Sequence, residues 1–156
     1  MKRFLSLGLA ALFATLCVSH GNVVRPAPDV VLETGKSLKS LRGQPVVILV
    51  APHPQSRSFR KQVKRLERDY PRFAARGTVF VAAFTENAAG LRSNIPFVVA
   101  QNGGAVAAHY GVNTPFALLV VGKDGNLDLQ TSKVSGTWQV RDAILNNYAE
   151  QAGRRR

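Results

Sequence analysis

A short loop around His53 holds the residues whose types could do chemistry in this 156-residue chain. It reads Pro52-His53-Pro54-Gln55-Ser56 and follows an apolar run. His53 can titrate near neutral pH, so with Ser56 it could act as a general base or as a metal ligand. No carboxylate stands nearby in the sequence to orient the ring, and no further ligand follows at metal-binding spacing. The pattern therefore favours an exposed loop histidine over a catalytic or metal-binding one.

His109 and Cys17 are two further residues, outside this loop, whose side chains could do chemistry. His109 lies near the C-terminal end of the short helix predicted over 105–110, where a cation is stabilised by the helix dipole without any functional role. Cys17 is the single cysteine and lies in the N-terminal apolar segment, preceded by Leu16 rather than by the small residue that a lipidated cysteine needs. If the chain is cleaved after Ser19 or Gly21, no thiol remains, which excludes disulfides, thiolate catalysis and cysteine–metal sites.

A cationic face follows the loop. At about 100° per residue, the apolar residues of the segment from position 56 share one side of a helix. They are Phe59, Val63, Leu66, Tyr70 and Phe73. Seven cations fall on the opposite side: Arg57, Arg60, Lys61, Lys64, Arg65, Arg68 and Arg72. This face could bind a polyanion or anionic lipid, but it lacks the interleaved aromatic residues that stack on bases. The alternative is a solvated surface on which Glu67 and Asp69 relieve some repulsion.

The N-terminal residues predict export. Lys2 and Arg3 precede an apolar run over residues 4–18, and the small residues Ser19 and Gly21 follow. This layout is typical of a secretory signal peptide, and the run is short for a membrane span. We expect a periplasmic or secreted protein without a transmembrane span in the mature chain. The net charge of +12 favours association with anionic partners.

The rest of the chain predicts one α/β domain. We expect a signal peptide over 1–21, a flexible lead-in over 22–28, the domain over 29–150 and a basic tail over 151–156. Strands are predicted at 29–32, 45–50, 78–84, 116–121 and 127–131, with a short extended piece at 95–99. Helices are predicted from 56 to 70 or beyond, at 105–110 and at 138–148. Ser56 is the expected helix cap, and Pro71 is expected to end or kink the helix. Phe59, Trp138 and Tyr148 are expected in the core.

One stretch carries a family resemblance. It reads Tyr110-Gly111-Val112, then Thr114-Pro115, an apolar strand and Asp124-Gly125. It resembles the corresponding segment of the thioredoxin-like superfamily, closest to the peroxiredoxin-like (AhpC/TSA) and TlpA-like branch, and the likeness covers roughly residues 29–147. It implies a three-layer α/β/α sandwich with a mixed central sheet and a C-terminal β-hairpin plus helix. It also implies that Pro115 is cis and lies against the loop of His53.

The sequence departs from the family where the family does its chemistry. Members carry Cys-x-x-Cys or one peroxidatic cysteine, and this chain has Pro52-His53-Pro54-Gln55-Ser56-Arg57 instead. A serine hydroxyl does not replace a thiolate near neutral pH, so no redox role transfers to these residues. The chain is similar in this respect to exported bacterial domains of unknown function that share the Gly-Lys-Asp-Gly turn and lack the thiols.

The resulting hypothesis is a non-catalytic binding or accessory module without a metal or cofactor. His53, Ser56, Thr114 and Pro115 are its candidate binding residues, and its expected partner is a protein or an anionic component of the envelope, with no specific nucleic acid. One alternative is a thioredoxin- or peroxiredoxin-like oxidoreductase that borrows a partner's thiol or uses His53 and Ser56. The other is an electrostatic binder of the anionic envelope surface through the basic helix.

Overall fold

The structure, a computed structural model, describes residues 25–146. The predicted signal peptide with Cys17, the start of the lead-in, Tyr148 and the basic tail lie outside the described residues. Among the helices of the described part, none is long and apolar enough to cross a membrane.

A mixed sheet forms the centre of the fold. The strands are β1 (Val46–Ala51), β2 (Val79–Phe84), β3 (Phe97–Val99), β4 (Ala117–Val121) and β5 (Leu127–Thr131). Their order in the sheet is β3-β2-β1-β4-β5. β1 and β2 are parallel, as are β2 and β3, whereas β4 is antiparallel to both β1 and β5. The unbroken apolar runs of β1 and β4 are buried throughout, as expected for central strands covered on both faces.

Helices cover both faces of this sheet. They are the 3₁₀-helix Leu38–Leu41, α1 (Arg57–Ala74), α2 (Gly103–His109) and α3 (Thr137–Leu145). One core cluster joins α1 and α3 to alternate strand residues such as Leu49 and Leu118. A second cluster joins α2 and the segment around Leu32 to the intervening residues, such as Ile48 and Leu119. The predicted three-layer α/β/α sandwich is therefore confirmed.

α1 follows its predicted apolar face. Phe59, Val63, Leu66 and Phe73 are buried, and Tyr70 is half-buried. Pro71 was expected to end or kink the helix. It does not end the helix, which continues to Ala74. The carbonyl of Pro71 accepts a hydrogen bond from Ala75 N (3.0 Å), so bonding resumes after the proline, and the extra turn brings Phe73 into the core.

The segment 29–32 is not a strand, contrary to prediction. Val31 and Leu32 form isolated bridges with Ser37 and Ala100. The chain turns back at once, since Leu32 N donates to Lys36 O (2.8 Å) and Gly35 takes a left-handed φ of 76°. This turn leaves too few residues for a continuous ladder.

The described part of the lead-in is hydrogen-bonded to the rest of the fold. Ala27 N donates to Gly125 O (3.0 Å), and Arg25 O accepts from Leu127 N (2.8 Å). The Tyr110 hydroxyl donates to Pro28 O (2.8 Å). Burial, together with the negative charge of Asp29, raises the pKa of Tyr110, so this hydroxyl remains a donor at physiological pH. Tyr110, part of the Tyr-Gly-Val segment, thus anchors the N-terminal segment.

Trp138 is not a core residue, contrary to prediction, because 63% of it is exposed. It lies in the first turn of α3, whose buried residues are Val140 and Ile144. Two residues correspond to about 200° around a helix, so a side chain at 138 faces away from the core that Val140 occupies. Phe59, by contrast, is buried as predicted.

Candidate functional site

The loop that carries His53 lies at one end of the sheet. β1 ends at Ala51 and α1 begins at Arg57. The loop is closed on itself by a hydrogen bond from Ser56 N to His53 O (3.1 Å). Its Pro52 carbonyl also accepts hydrogen bonds from Glu86 N and Asn87 N, at 3.0 and 3.2 Å. The loop after β1 and the loop after β2 are therefore tied together.

Thr114 and Pro115 lie at the same end of the sheet as the loop of His53. β1 and β4 are antiparallel with Val50 opposite Ala117, so the residues after β1 and those before β4 leave the sheet together. The peptide bond before Pro115 is trans, since no cis bond occurs in the range 25–146, and the cis prediction is wrong. Pro115 is exposed, and the Thr114 hydroxyl donates to Phe116 O (2.8 Å) rather than to the His53 loop. Because Pro115 is exposed, its surroundings do not impose the cis isomer. The peptide bond therefore takes the trans form, which is intrinsically favoured by about 0.5–1 kcal/mol.

Ser56 occupies the predicted cap position of α1 but does not cap it. Its side chain accepts no hydrogen bond from the first turn of the helix. The Oγ atom is instead buried, with no hydrogen-bond partner among the described residues. Its backbone carbonyl accepts from Arg60 N (3.0 Å). The hydroxyl is thus not paired with a base, as an activated nucleophile would be.

The two described histidines are separate from each other in the fold. His53 is half-buried in its loop rather than exposed as predicted, and its ring makes no hydrogen bond or ion pair with another described residue. His109 is exposed at the last residue of α2. Within residues 25–146, no three His, Asp, Glu or Cys side chains come together in a way that could hold a metal ion.

The predicted basic face divides into two groups. Arg65 is half-buried and donates through Nη1 to Val134 O (3.3 Å), and Arg72 pairs with Asp69 (3.6 Å). The other five are exposed, and their side chains make no hydrogen bond or ion pair with any residue between positions 25 and 146. They are Arg57, Arg60, Lys61, Lys64 and Arg68. Most of the face is therefore free cationic surface.

An open groove of about 600 Å³ lies beside the first half of α1. Four of the unpaired cations line it, and Arg92 from the loop between β2 and β3 supplies a fifth. Val63 and Pro54 contribute apolar wall, and Glu67 is the one acidic residue of the lining. Sequence reasoning missed Arg92, because it lies outside the helix that carries the periodic signal and reaches the groove through the tertiary fold.

Glu67 does not pair with these cations. Its Oε1 accepts hydrogen bonds from Asn94 N (3.1 Å) and from the Ser93 hydroxyl (3.4 Å). The carboxylate thus fixes the loop of Arg92 to α1. The suggestion that Glu67 relieves repulsion along the helix is not supported by any ion pair among the described residues.

Comparison with known proteins rests on structure alone. No protein-family model matches the sequence, and no curated protein matches it. Among solved structures, a candidate thiol:disulfide interchange protein DsbE from Chlorobium tepidum has a TM-score of 0.64 at 19% identity, covering 78% of this chain and 94% of that one. A thiol:disulfide interchange protein from Bacteroides sp. has a TM-score of 0.60 at 15% identity, and the match covers 82% of this chain and 93% of that one. The reduced 2-Cys peroxiredoxin of Plasmodium vivax has a TM-score of 0.59 at 13% identity, and the match covers 84% of this chain and 97% of that one.

This chain has the thioredoxin-like fold. The identities are too low to carry more than the fold. The names of these three proteins refer to thiol–disulfide interchange or to a 2-Cys peroxiredoxin, whereas this chain has no cysteine between residues 25 and 146. The loop between β1 and α1 consists of Pro52, His53, Pro54, Gln55 and Ser56.

Proposed function

We propose that this protein is an exported, non-catalytic thioredoxin-like module that binds a partner. The observation that carries the proposal is the loop between β1 and α1, which has no thiol. Thiol–disulfide exchange proceeds by attack of a thiolate on a disulfide sulfur, and peroxide reduction in this fold also starts from a thiolate. Cys17 precedes the fold and belongs to the predicted signal peptide.

The alternative is an oxidoreductase that works with a partner's thiol or through His53 and Ser56. The geometry gives it little support, because neither the Ser56 hydroxyl nor the His53 ring has a hydrogen-bond partner within the described residues 25–146.

Reductase and peroxidase assays test the proposal. Protein expressed from the full sequence should reduce insulin with dithiothreitol, and consume hydrogen peroxide, no faster than buffer does. The Cys17→Ser variant serves as a matched control for any unprocessed chain. Catalysis by Cys17→Ser that is lost in a His53→Ala, Ser56→Ala double variant would overturn the non-catalytic role.

Export is tested by the mass of the purified chain. Processing after Ser19 or Gly21 should remove the N-terminal segment, including Cys17, and the product should be recovered from the periplasm or the medium. An intact N-terminus on protein that stays in the cytoplasm would contradict this part of the proposal.

A second candidate function is electrostatic binding to an anionic component of the envelope. It is supported by the five exposed cations of α1 whose side chains make no ion pair with any residue between positions 25 and 146. Retention on immobilised heparin should fall steeply as salt rises, because binding releases counterions. No retention at low salt would exclude this function.

A further inference from the structure

We propose that the groove between α1 and the loop of Arg92 binds a linear acidic polysaccharide. The inference rests on the electrostatic function proposed above and names its site and its ligand class. The groove is defined by Arg57, Arg60, Lys61, Lys64 and Arg92.

The groove is built from two elements that are held together. Glu67 fixes one end of the loop through its hydrogen bonds to Ser93 and Asn94. At the other end, the Gln55 side chain donates through Nε2 to Ala89 O (3.2 Å). Arg92 lies between these anchors in the sequence, and it lines the groove together with the cations of α1. A groove lined by cations from two elements is suited to an anionic chain that contacts both.

The cations of α1 repeat along the groove. Arg57, the pair Arg60 and Lys61, and Lys64 stand on successive turns, which are about 5.4 Å apart. A polysaccharide with one acidic group on each sugar also carries its charges at a regular repeat of this order. Each anionic group can therefore meet a new cation as the chain passes along the helix.

Other anionic partners fit the groove less well. A lipid bilayer is broad and nearly flat on this scale, so it would contact the exposed face of the helix, including Arg68, rather than the groove between α1 and the loop of Arg92. Single-stranded nucleic acids gain much of their affinity from base stacking on aromatic residues. The one aromatic residue among those that line the groove, Phe59, is 2% exposed and belongs to the core, so it offers no ring face for stacking.

The decisive experiment compares two charge reversals in protein expressed from the full sequence. Arg92→Glu changes a groove cation that is not on the helix. Arg68→Glu makes the same charge change at an exposed, unpaired residue of α1 outside the groove lining. Affinity for a heparin oligosaccharide and for a polygalacturonate oligomer is measured by calorimetry at low salt, and again at higher salt.

Arg92→Glu should weaken binding about tenfold, because an attraction is lost and a repulsion of similar size is added. Arg68→Glu should weaken it less than about twofold, through long-range screened charge alone. If all five cations of the groove contact the ligand and the salt slope is that of single-stranded polyanions, affinity should fall about 100-fold between 50 and 200 mM salt.

The outcomes separate the inference from the function on which it rests. Equal losses in the two variants would overturn the groove and leave generic electrostatic binding. Tighter binding to polyglutamate, to a single-stranded oligonucleotide or to anionic vesicles would overturn the polysaccharide assignment. Absence of salt-dependent binding to every polyanion would remove the electrostatic function itself.

Discussion

Ser56 differs from an ordinary helix-capping serine. A capping serine normally contributes about 0.5–2 kcal/mol to stability through a bond to the first turn. Here that bond is not made, and the hydroxyl is buried without a partner among the described residues. A buried, unsatisfied polar atom lowers stability.

Ser56→Ala should therefore leave the free energy of unfolding unchanged or raise it. The matched control is Asn102→Ala at α2, because Asn102 Oδ1 does accept a hydrogen bond from Ala105 N (2.9 Å). The free energy of unfolding of Asn102→Ala should fall by about 1 kcal/mol. Urea unfolding of both variants measures the difference, and an equal loss at the two caps would contradict the description of Ser56.

Asp128 on β5 gives a pH-dependent contribution to stability. Asp128 is an exposed residue, yet partial burial of its carboxyl group, together with the negative charge of Asp124, raises its pKa from 3.8 to about 6. The folded state then holds the proton more tightly than the unfolded state does. Stability from this group is present below pH 4 and is lost as the pH rises through about 6.

Asp128→Asn should accordingly be more stable than the parent at pH 7 and similar to it below pH 4. Urea unfolding at both pH values checks the sign, and an NMR titration of the carboxyl carbon checks the midpoint near 6. A stability difference that does not vary with pH would show that the carboxyl titrates normally.

At the scale of elements, Gln62 joins α1 to the segment before α3. Its side chain is fully buried. Its Nε2 donates to Ser135 O (3.2 Å), and its Oε1 accepts from Ser135 N (2.7 Å). One side chain thus satisfies both backbone groups of a buried residue that lies 73 positions away.

Gln62→Leu should destabilise the fold by about 2–4 kcal/mol, since the volume is kept but a buried N–H and a buried C=O of Ser135 lose their partner. Gln55→Leu is the control, because Gln55 also bonds to a backbone carbonyl but is exposed. The free energy of unfolding of Gln55→Leu should fall by less than about 1 kcal/mol. Thermal or urea unfolding measures both, and comparable losses would refute the role given to Gln62.

The elements also show what sequence could predict. The period of α1 was sufficient to place Phe59 and Leu66 in the core, because local periodicity alone decides which face is apolar. It could not reveal the role of Gln62, since a glutamine on that face acquires its partners only when distant residues meet. Trp138 was misplaced by its size, although its offset from Val140 already put it on the opposite side of α3.

The candidate site was predictable only in part. The loop of His53 and the cations of α1 could be located from the sequence, since each follows directly from a strand or helix signal. Arg92 could not, because it reaches the groove through a loop held by Glu67. The cis state of Pro115 was inferred by resemblance, and the exposed setting of this proline does not impose it.

At the scale of the whole molecule, charge is unevenly distributed. The chain carries 21 Lys and Arg residues against 9 Asp and Glu. The first half of α1 and Arg92 concentrate cations around one groove, whereas Asp124, Asp128 and Asp142 lie in the β4–β5 hairpin, on β5 and in α3. Like charges brought together by folding repel one another and lower the stability of the compact state.

Added salt should therefore stabilise this fold. Between 10 and 150 mM the screening length falls from about 30 to about 8 Å, so repulsion among the cations of the groove weakens and the Tm should rise by a few degrees. A variant with Arg57, Arg60, Lys61 and Lys64 all changed to Gln should start from a higher Tm at low salt and respond less. Calorimetry in sodium chloride and in sodium sulfate at equal ionic strength separates screening, which is common to both salts, from direct anion binding, which favours sulfate. A Tm that falls with salt, or a variant that responds as strongly as the parent, would show that the cations of the groove do not oppose folding.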